Sequence, residues 1–148
     1  MKKSLFAAAA LALFATAPAM AEECTAVTKQ QIEGLFDRWN NSLATLKPDA
    51  VVANYASDAV LLPTVSNKPR LTQDERKDYF VSFLKNHPQG KIDSRTIKIG
   101  CNSAIDTGIY TFTFKDGTKV PARYTFTYEY DDGKWLISSH HSSAMPEK

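Results

Sequence analysis

The chain has 148 residues, 43% of them hydrophobic, with 18 basic and 16 acidic side chains and a formal net charge of +2. That length carries one domain with its own core and excludes a multidomain architecture. Lys2 and Lys3 supply the whole charge excess, so nothing points to nucleic acid or an anionic membrane as a partner.

Residues 1–21 read as a cleavable signal peptide. Met1-Lys2-Lys3 is a positive start, residues 5–17 are apolar, and Ala19-Met20-Ala21 is an A-x-A cleavage site. The apolar run is short for a bilayer span and no second one follows. The expectation is a periplasmic or secreted protein whose residues 22–148 form a single domain, with no membrane contact after cleavage. Its two cysteines, Cys24 and Cys101, predict a disulfide in that compartment. The loop it closes, of roughly 77 residues, makes the bond worth on the order of 4 kcal/mol. No C-x-x-C or H-x-x-x-H spacing suggests a metal, and no cofactor is predicted.

Thr28-Lys29-Gln30-Gln31 has the form of a capping box, with Val27 and Ile32 placed as a hydrophobic staple. Ile32, Leu35, Phe36, Trp39, Leu43 and Leu46 follow at helical spacing and predict one apolar stripe that needs a sheet to lie on. Trp39 belongs to that stripe as core and as a candidate cavity wall. Pro48 predicts a short second helix to about Tyr55, and Val60-Leu61-Leu62 a short strand. Residues 63–71 read as an ordered loop, with Lys68 and Arg70 solvated unless the loop covers a pocket mouth. Thr72-Gln73-Asp74-Glu75 is a second capping box. Its helix carries Tyr79, Phe80, Phe83 and Leu84 on one face and stops before Pro88, with His87 a surface residue beside its end.

From Lys91 onward the chain reads as strands. Ile97, Ile99 and Cys101 alternate, and Asn102-Ser103 turns. A strand over 105–115 sets Tyr110, Phe112 and Phe114 on one face and Thr111 and Thr113 on the other. Asp116-Gly117 predicts a two-residue hairpin. Strict pairing from it sets Tyr110 against Arg123 and Phe112 against Pro121. A β-bulge near Pro121 is therefore expected, to bring Tyr110 opposite Tyr124 and bend the sheet.

The last hairpin turns at Asp132-Gly133. Tyr124, Phe126, Tyr128 and Tyr130 share one face; Arg123, Thr125, Thr127 and Glu129 share the other. Pairing outward from the turn sets Tyr130 on Trp135, Tyr128 on Ile137, Phe126 on Ser139, Tyr124 on His141 and Arg123 on Ser142. A slip of one residue exchanges which of His140 and His141 shares the aromatic face. The run Ser138-Ser139-His140-His141-Ser142-Ser143 is too polar for a strand that only packs, and it reads as the lining of a pocket or a tight interface. Thr111, Thr113, Thr125, Thr127 and Ser138 form a hydroxyl-rich face suited to a sheet-to-sheet contact. The element order predicts an α+β layer with helices on one face of a curved sheet.

The same order, with N-Y-A-S-D-A-V-L-L-P-T at 54–64 and D-G-K-W-L-I-S-S-H-H-S-S-A-M-P at 132–146, resembles the NTF2-like, cystatin-type cone. In that fold a curved antiparallel sheet wraps about three N-terminal helices. Within it the chain most resembles the association (hub) domain of calcium/calmodulin-dependent protein kinase II and its stand-alone bacterial relatives, of SgcJ/EcaC or SnoaL-like type. The resemblance covers 28–146. It implies a homodimer or larger ring and a cone pocket lined by arginines near Tyr110, Phe126 and Ser142, none of which is Arg here. No phosphate-binding glycine loop, H-R-D or D-F-G motif is present, so kinase activity does not carry over.

Two functions follow. The first is an exported, non-catalytic domain that oligomerises and binds a small molecule, an anion included, in its pocket. Its candidate contacts are Trp39, Tyr55, Tyr110, Arg123, Tyr124, His140, His141 and Ser142. Arg123 stands in for the missing arginines, and Arg123, Tyr124 and His141 form the polar end of the cavity. The second is an enzyme of ketosteroid-isomerase or SnoaL type, with His141 as acid/base and Tyr55, Tyr110 or Tyr124 as hydroxyl donors.

Overall fold

The computed structural model describes residues 23–147; the predicted signal peptide lies outside them. Helix α1 (Lys29–Ala44) is followed by a one-turn helix α2 (Pro48–Val52), strand β1 (Tyr55–Leu62) and helix α3 (Gln73–Phe83), which ends in a 3-10 turn, Leu84–Asn86. Four strands complete the chain: β2 (Gln89–Ile99), β3 (Ser103–Thr113), β4 (Lys119–Asp131) and β5 (Lys134–Ala144). With β1 they form one curved five-stranded sheet in the order β1-β5-β4-β3-β2. The expected α+β layer is present. Strands β2 to β5 are antiparallel neighbours, and β1 joins the edge parallel to β5.

Both helix starts follow from their caps. The Gln31 amide donates to the Thr28 hydroxyl, and the Thr28 amide donates to Gln31 Oε1. Thr72 and Glu75 repeat the arrangement on α3. In α1, Ile32, Phe36, Trp39 and Leu43 are buried. Phe36 and Trp39 meet Phe126 of β4 with ring centroids 6.1 and 5.4 Å apart. Leu46 does not extend that stripe: it stands beyond the helix in a left-handed turn, φ 56°, and is exposed.

The second helix ends at Val52 rather than near Tyr55, and β1 starts earlier than Val60. The reason is an irregularity in its pairing. Tyr55 lies opposite Ile137 and Val60 opposite Ser139, so β1 must bulge. The carbonyls this turns inward are met by Arg76 of α3, which is fully buried. Its Nη1 donates to Ala59 O. Its Nη2 donates to Ala56 O and Ser57 O, both at 2.9 Å. Residues 63–71 fold back so that Leu61 and Arg70 exchange two backbone hydrogen bonds. Lys68 and Arg70 are ion-paired rather than merely solvated, with Glu75 at 2.8 Å and Asp78 at 3.2 Å.

Strands β3 and β4 pair without interruption, Tyr110 on Ala122 and Phe112 on Val120, so the bulge expected near Pro121 is not there. The turn itself supplies the missing residue. Phe114 N–H donates to Thr118 O and Gly117 N–H to Phe114 O, with Gly117 at φ 83°. This is a three-residue loop with glycine in the left-handed position, where a two-residue turn was expected. Counting alternately from the Phe114–Thr118 bond makes Thr111–Pro121 a non-hydrogen-bonded pair, in which proline costs β3 no donor. The sheet does bulge at Asp93, between Ile92 and Ser94. Nearby, a Cβ on Gly108 would lie 2.0 Å from Ser94 O, so only glycine permits this approach. Cys24 and Cys101 are joined in a disulfide. Asn102 braces the same tail by accepting from Thr25 N–H and donating to Glu23 O.

Candidate functional site

The site is decided by one residue of β5. Pairing runs from Asp131–Lys134 to Tyr128–Ile137 as the turn predicts, and then resumes at Thr127–Ser139. Ser138 is the extra residue, and its hydroxyl pairs with that of Thr127 at 2.8 Å. Every partner beyond it moves by one: Phe126 faces His140, Thr125 faces His141, Tyr124 faces Ser142 and Arg123 faces Ser143. His140 therefore enters the cone and His141 leaves it. Arg123 is exposed on the outer face, its Nε donating to Ser143 Oγ at 3.3 Å.

His140 is stacked on Phe126, with ring centroids 4.0 Å apart, and meets the edge of Trp39 at 5.2 Å. Around it runs a continuous chain of side-chain hydrogen bonds. Trp39 Nε1 donates to the Tyr55 hydroxyl at 3.0 Å, and Tyr55 Oη is 3.0 Å from His140 Nδ1. His140 Nε2 is 3.5 Å from Tyr110 Oη, and the Tyr110 hydroxyl donates to Ser142 Oγ at 2.6 Å. Ser142 Oγ in turn bonds Thr64 Oγ1. Burial, with His141 a lesser cause, drives the His140 pKa down to about 3. Its ring is neutral at pH 7. Burial likewise raises the Tyr55 and Tyr110 phenols.

Trp39, Tyr110, His140, Ser142 and Thr64 line a cavity of about 130 Å³. Its remaining wall is apolar. Leu61 and the loop residues Pro63 and Val65 close one side; Tyr79, Phe80 and Phe83 of α3 another; Phe112, Phe114, Val120 and Ala122 the sheet side. No lining residue is Asp, Glu, Lys or Arg. Among the described residues no three His, Cys, Asp or Glu side chains gather as a metal site would need.

Of the residues singled out from sequence, Trp39, Tyr55, Tyr110, His140 and Ser142 come together. Tyr124 is buried but turns to a different partner: its hydroxyl donates to Asp106 Oδ1 at 2.9 Å. Asp106 is fully buried and also accepts from Arg95 Nη2 at 2.6 Å. This acid–arginine–tyrosine cluster does not border the cavity. Arg123, Tyr124 and His141 thus form no common polar end. Sequence reasoning missed Thr64, whose loop position has no periodic signal. It also missed Asp106, which shares the parity of Tyr110 and Phe112 along β3 and so belonged to the inner face.

The profile of the calcium/calmodulin dependent protein kinase II association domain matches residues 28–146. A Xanthomonas campestris crystal structure ascribed to such an association domain is 46% identical over 88% of this chain and 100% of its own, with a TM-score of 0.79. An NTF2-like protein of unknown function from Pseudomonas putida follows the same path at 16% identity, covering 80% of this chain and 87% of its own (TM-score 0.71). So does a Streptomyces avermitilis structure ascribed to a dehydratase of the NTF2-like family, at 10% identity over 80% of this chain and 97% of its own (TM-score 0.68). The last two likenesses speak for the fold alone. No functionally curated protein matches the chain.

Proposed function

We propose, from the premise that this chain belongs to the calcium/calmodulin-dependent protein kinase II association-domain family, that it is an exported, non-catalytic domain that self-associates and holds a small molecule in its cone. The observation that carries the ligand is the cavity: an apolar chamber of about 130 Å³ with one polar end built from a chain of buried side chains. Pockets of that make-up bind small molecules in many folds. Family membership supports self-association, and the hydroxyl-rich outer face suits it. There Thr107 bonds Thr125 and Thr127 bonds Ser138, both at 2.8 Å. The signal-like leader and the Cys24–Cys101 bond support export to an oxidising compartment.

Catalysis of the ketosteroid-isomerase kind is the weaker reading. It needs a base facing an apolar cavity with a pKa near the working pH. Asp106 is held by Arg95 and Tyr124 away from the chamber. His140, with its pKa near 3, is a poor proton acceptor at pH 7, and His141 lies outside the cone.

Native mass spectrometry of the mature protein, purified without reductant, tests the proposal. A dimer or ring carrying a stoichiometric small adduct is the expected spectrum. A bare monomer that takes up no small molecule would refute both parts.

A further inference from the structure

Counting protons along the hydrogen-bond chain gives it a direction. Trp39 Nε1 can only donate, so it fills one acceptor site of the Tyr55 oxygen. If His140 Nδ1 also donated to Tyr55, the Tyr55 proton would be buried without an acceptor. The satisfied arrangement has Tyr55 donating to Nδ1, which leaves the proton of neutral His140 on Nε2, aimed at the Tyr110 oxygen. Tyr110 then donates to Ser142. Ser142 and Thr64 share one hydrogen bond between two hydroxyls. Whichever of them donates, one hydroxyl proton remains over at the cavity wall, with no protein acceptor among the described residues. Each member of the chain fixes the next, and the chain ends as a donor.

We propose that the cavity takes a neutral, mainly apolar molecule of about the size of a substituted benzene, bearing one hydrogen-bond acceptor of carbonyl or ether class. The acceptor is anchored by the spare proton of the Thr64–Ser142 pair. The proposal rests on the reading of the cone as a binding pocket and departs from the anionic ligand that arginine-lined relatives suggest. A cavity of about 150 Å³ with apolar walls holds benzene, and this one, at about 130 Å³, is comparable. An anion there would be desolvated with no cation on the wall to meet it. Arg123 faces outward. Arg70, beside Tyr79, does not line the cavity, and its two Nη atoms donate to Asp78 and Ser66.

Three probes of similar size separate the cases: acetophenone, ethylbenzene and benzoate. Each is titrated at pH 7.5 into the mature protein, following the indole N–H resonance of Trp39 by NMR. The corresponding resonance of Trp135, which does not line the cavity, is the control. Acetophenone is expected to bind about tenfold tighter than ethylbenzene, the worth of one hydrogen bond, and benzoate not to bind. In Thr64→Val/Ser142→Ala that ratio should fall towards one while ethylbenzene binding persists. A ratio that survives the double substitution places the donor elsewhere, such as Tyr79, and overturns the assignment. Equal binding of acetophenone and ethylbenzene, or preference for benzoate, overturns the ligand class and leaves the pocket reading standing. No binding of any probe removes the pocket reading itself. Should the double variant not fold, the carbonyl stretch of acetophenone on the native protein decides. A shift to lower wavenumber than in hydrocarbon solvent that persists in Tyr79→Phe supports the donor, and an unshifted band, or a shift lost in Tyr79→Phe, refutes it.

Discussion

His140 should make this protein lose stability on mild acidification, before its carboxylates begin to protonate. Its ring is buried against Trp39, Tyr55, Tyr110 and Phe126, none of which offers a negative charge to an imidazolium. Burial lowers its folded-state pKa to about 3, against about 6.5 in the unfolded chain. The unfolded state therefore binds a proton below pH 6.5 that the folded state refuses until near pH 3. Stability from this residue is complete above pH 6.5 and declines as pH falls through that window, by about 1.4 kcal/mol per pH unit. From pH 6.5 to 5 the loss is about 2 kcal/mol, a large part of the margin of a single domain. The assay is urea unfolding at half-unit steps from pH 7.5 to 5 for the native protein and for His140→Gln. Glutamine keeps an acceptor for Tyr55 and a donor for Tyr110 without titrating. His87 and His141 are exposed and present in both proteins, so the difference between the two slopes isolates His140. Parallel slopes would refute the argument.

Asp106 and Arg95 should behave as a buried pair whose halves depend on each other. Arg95 retains some solvent access while Asp106 has none, so Asp106→Leu alone should cost about 2–4 kcal/mol, by stranding the guanidinium and the Tyr124 hydroxyl. The combination Asp106→Leu with Arg95→Met should recover most of that loss, and additive losses in the double-mutant cycle would remove the coupling. Replacing Cys24 and Cys101 together by serine should lower stability by up to about 4 kcal/mol through loss of a cross-link spanning 77 residues. Adding reductant to the native protein should reproduce the change in a denaturant melt. Arg123→Ala should leave both the denaturation midpoint and the Trp39 indole resonance unchanged, because the Arg123 side chain is exposed and, among the described residues, bonds only Ser143; a shifted Trp39 resonance would put Arg123 back in the site.

The elements were legible because their signals are local and repeated. Thr28 with Gln31, and Thr72 with Glu75, announce helix starts within four residues, and both are reciprocal caps in the structure. The stripe Ile32, Phe36, Trp39, Leu43 is a period that tertiary packing only has to accept. Cys24 and Cys101 needed no geometry, only a count and an expected compartment. The first part of β1 was less legible. Tyr55-Ala56-Ser57-Asp58-Ala59 has no strand period because it bulges, and the bulge is held by Arg76, some twenty residues away. A non-local side chain satisfies the backbone there, and no window around Tyr55 contains it.

The site failed to read out for a related reason. A β-strand assigns faces by parity, so a single inserted residue reverses every assignment beyond it. The pairing of Asp131 with Lys134 was correct, and so was that of Tyr128 with Ile137; on β5 the error enters at Ser138. Upstream of it nothing changes. Downstream, His141, named with Arg123 as the polar end of a cavity, goes to the outside, and His140 and Ser142 take the inside. Arg123 was in fact already marked by its own strand, since it alternates with Tyr124 and Phe126, which face the core. An arginine cannot share their face without a second bulge, and β4 has none against β3. The parity of β4 alone therefore excluded Arg123 from the cone. The parity of β3 placed Asp106 inside it, where Arg95 and Tyr124 neutralise it. With both charges accounted for, the chamber beside His140 has neutral walls, and its chemistry is set by which way the buried hydroxyls point.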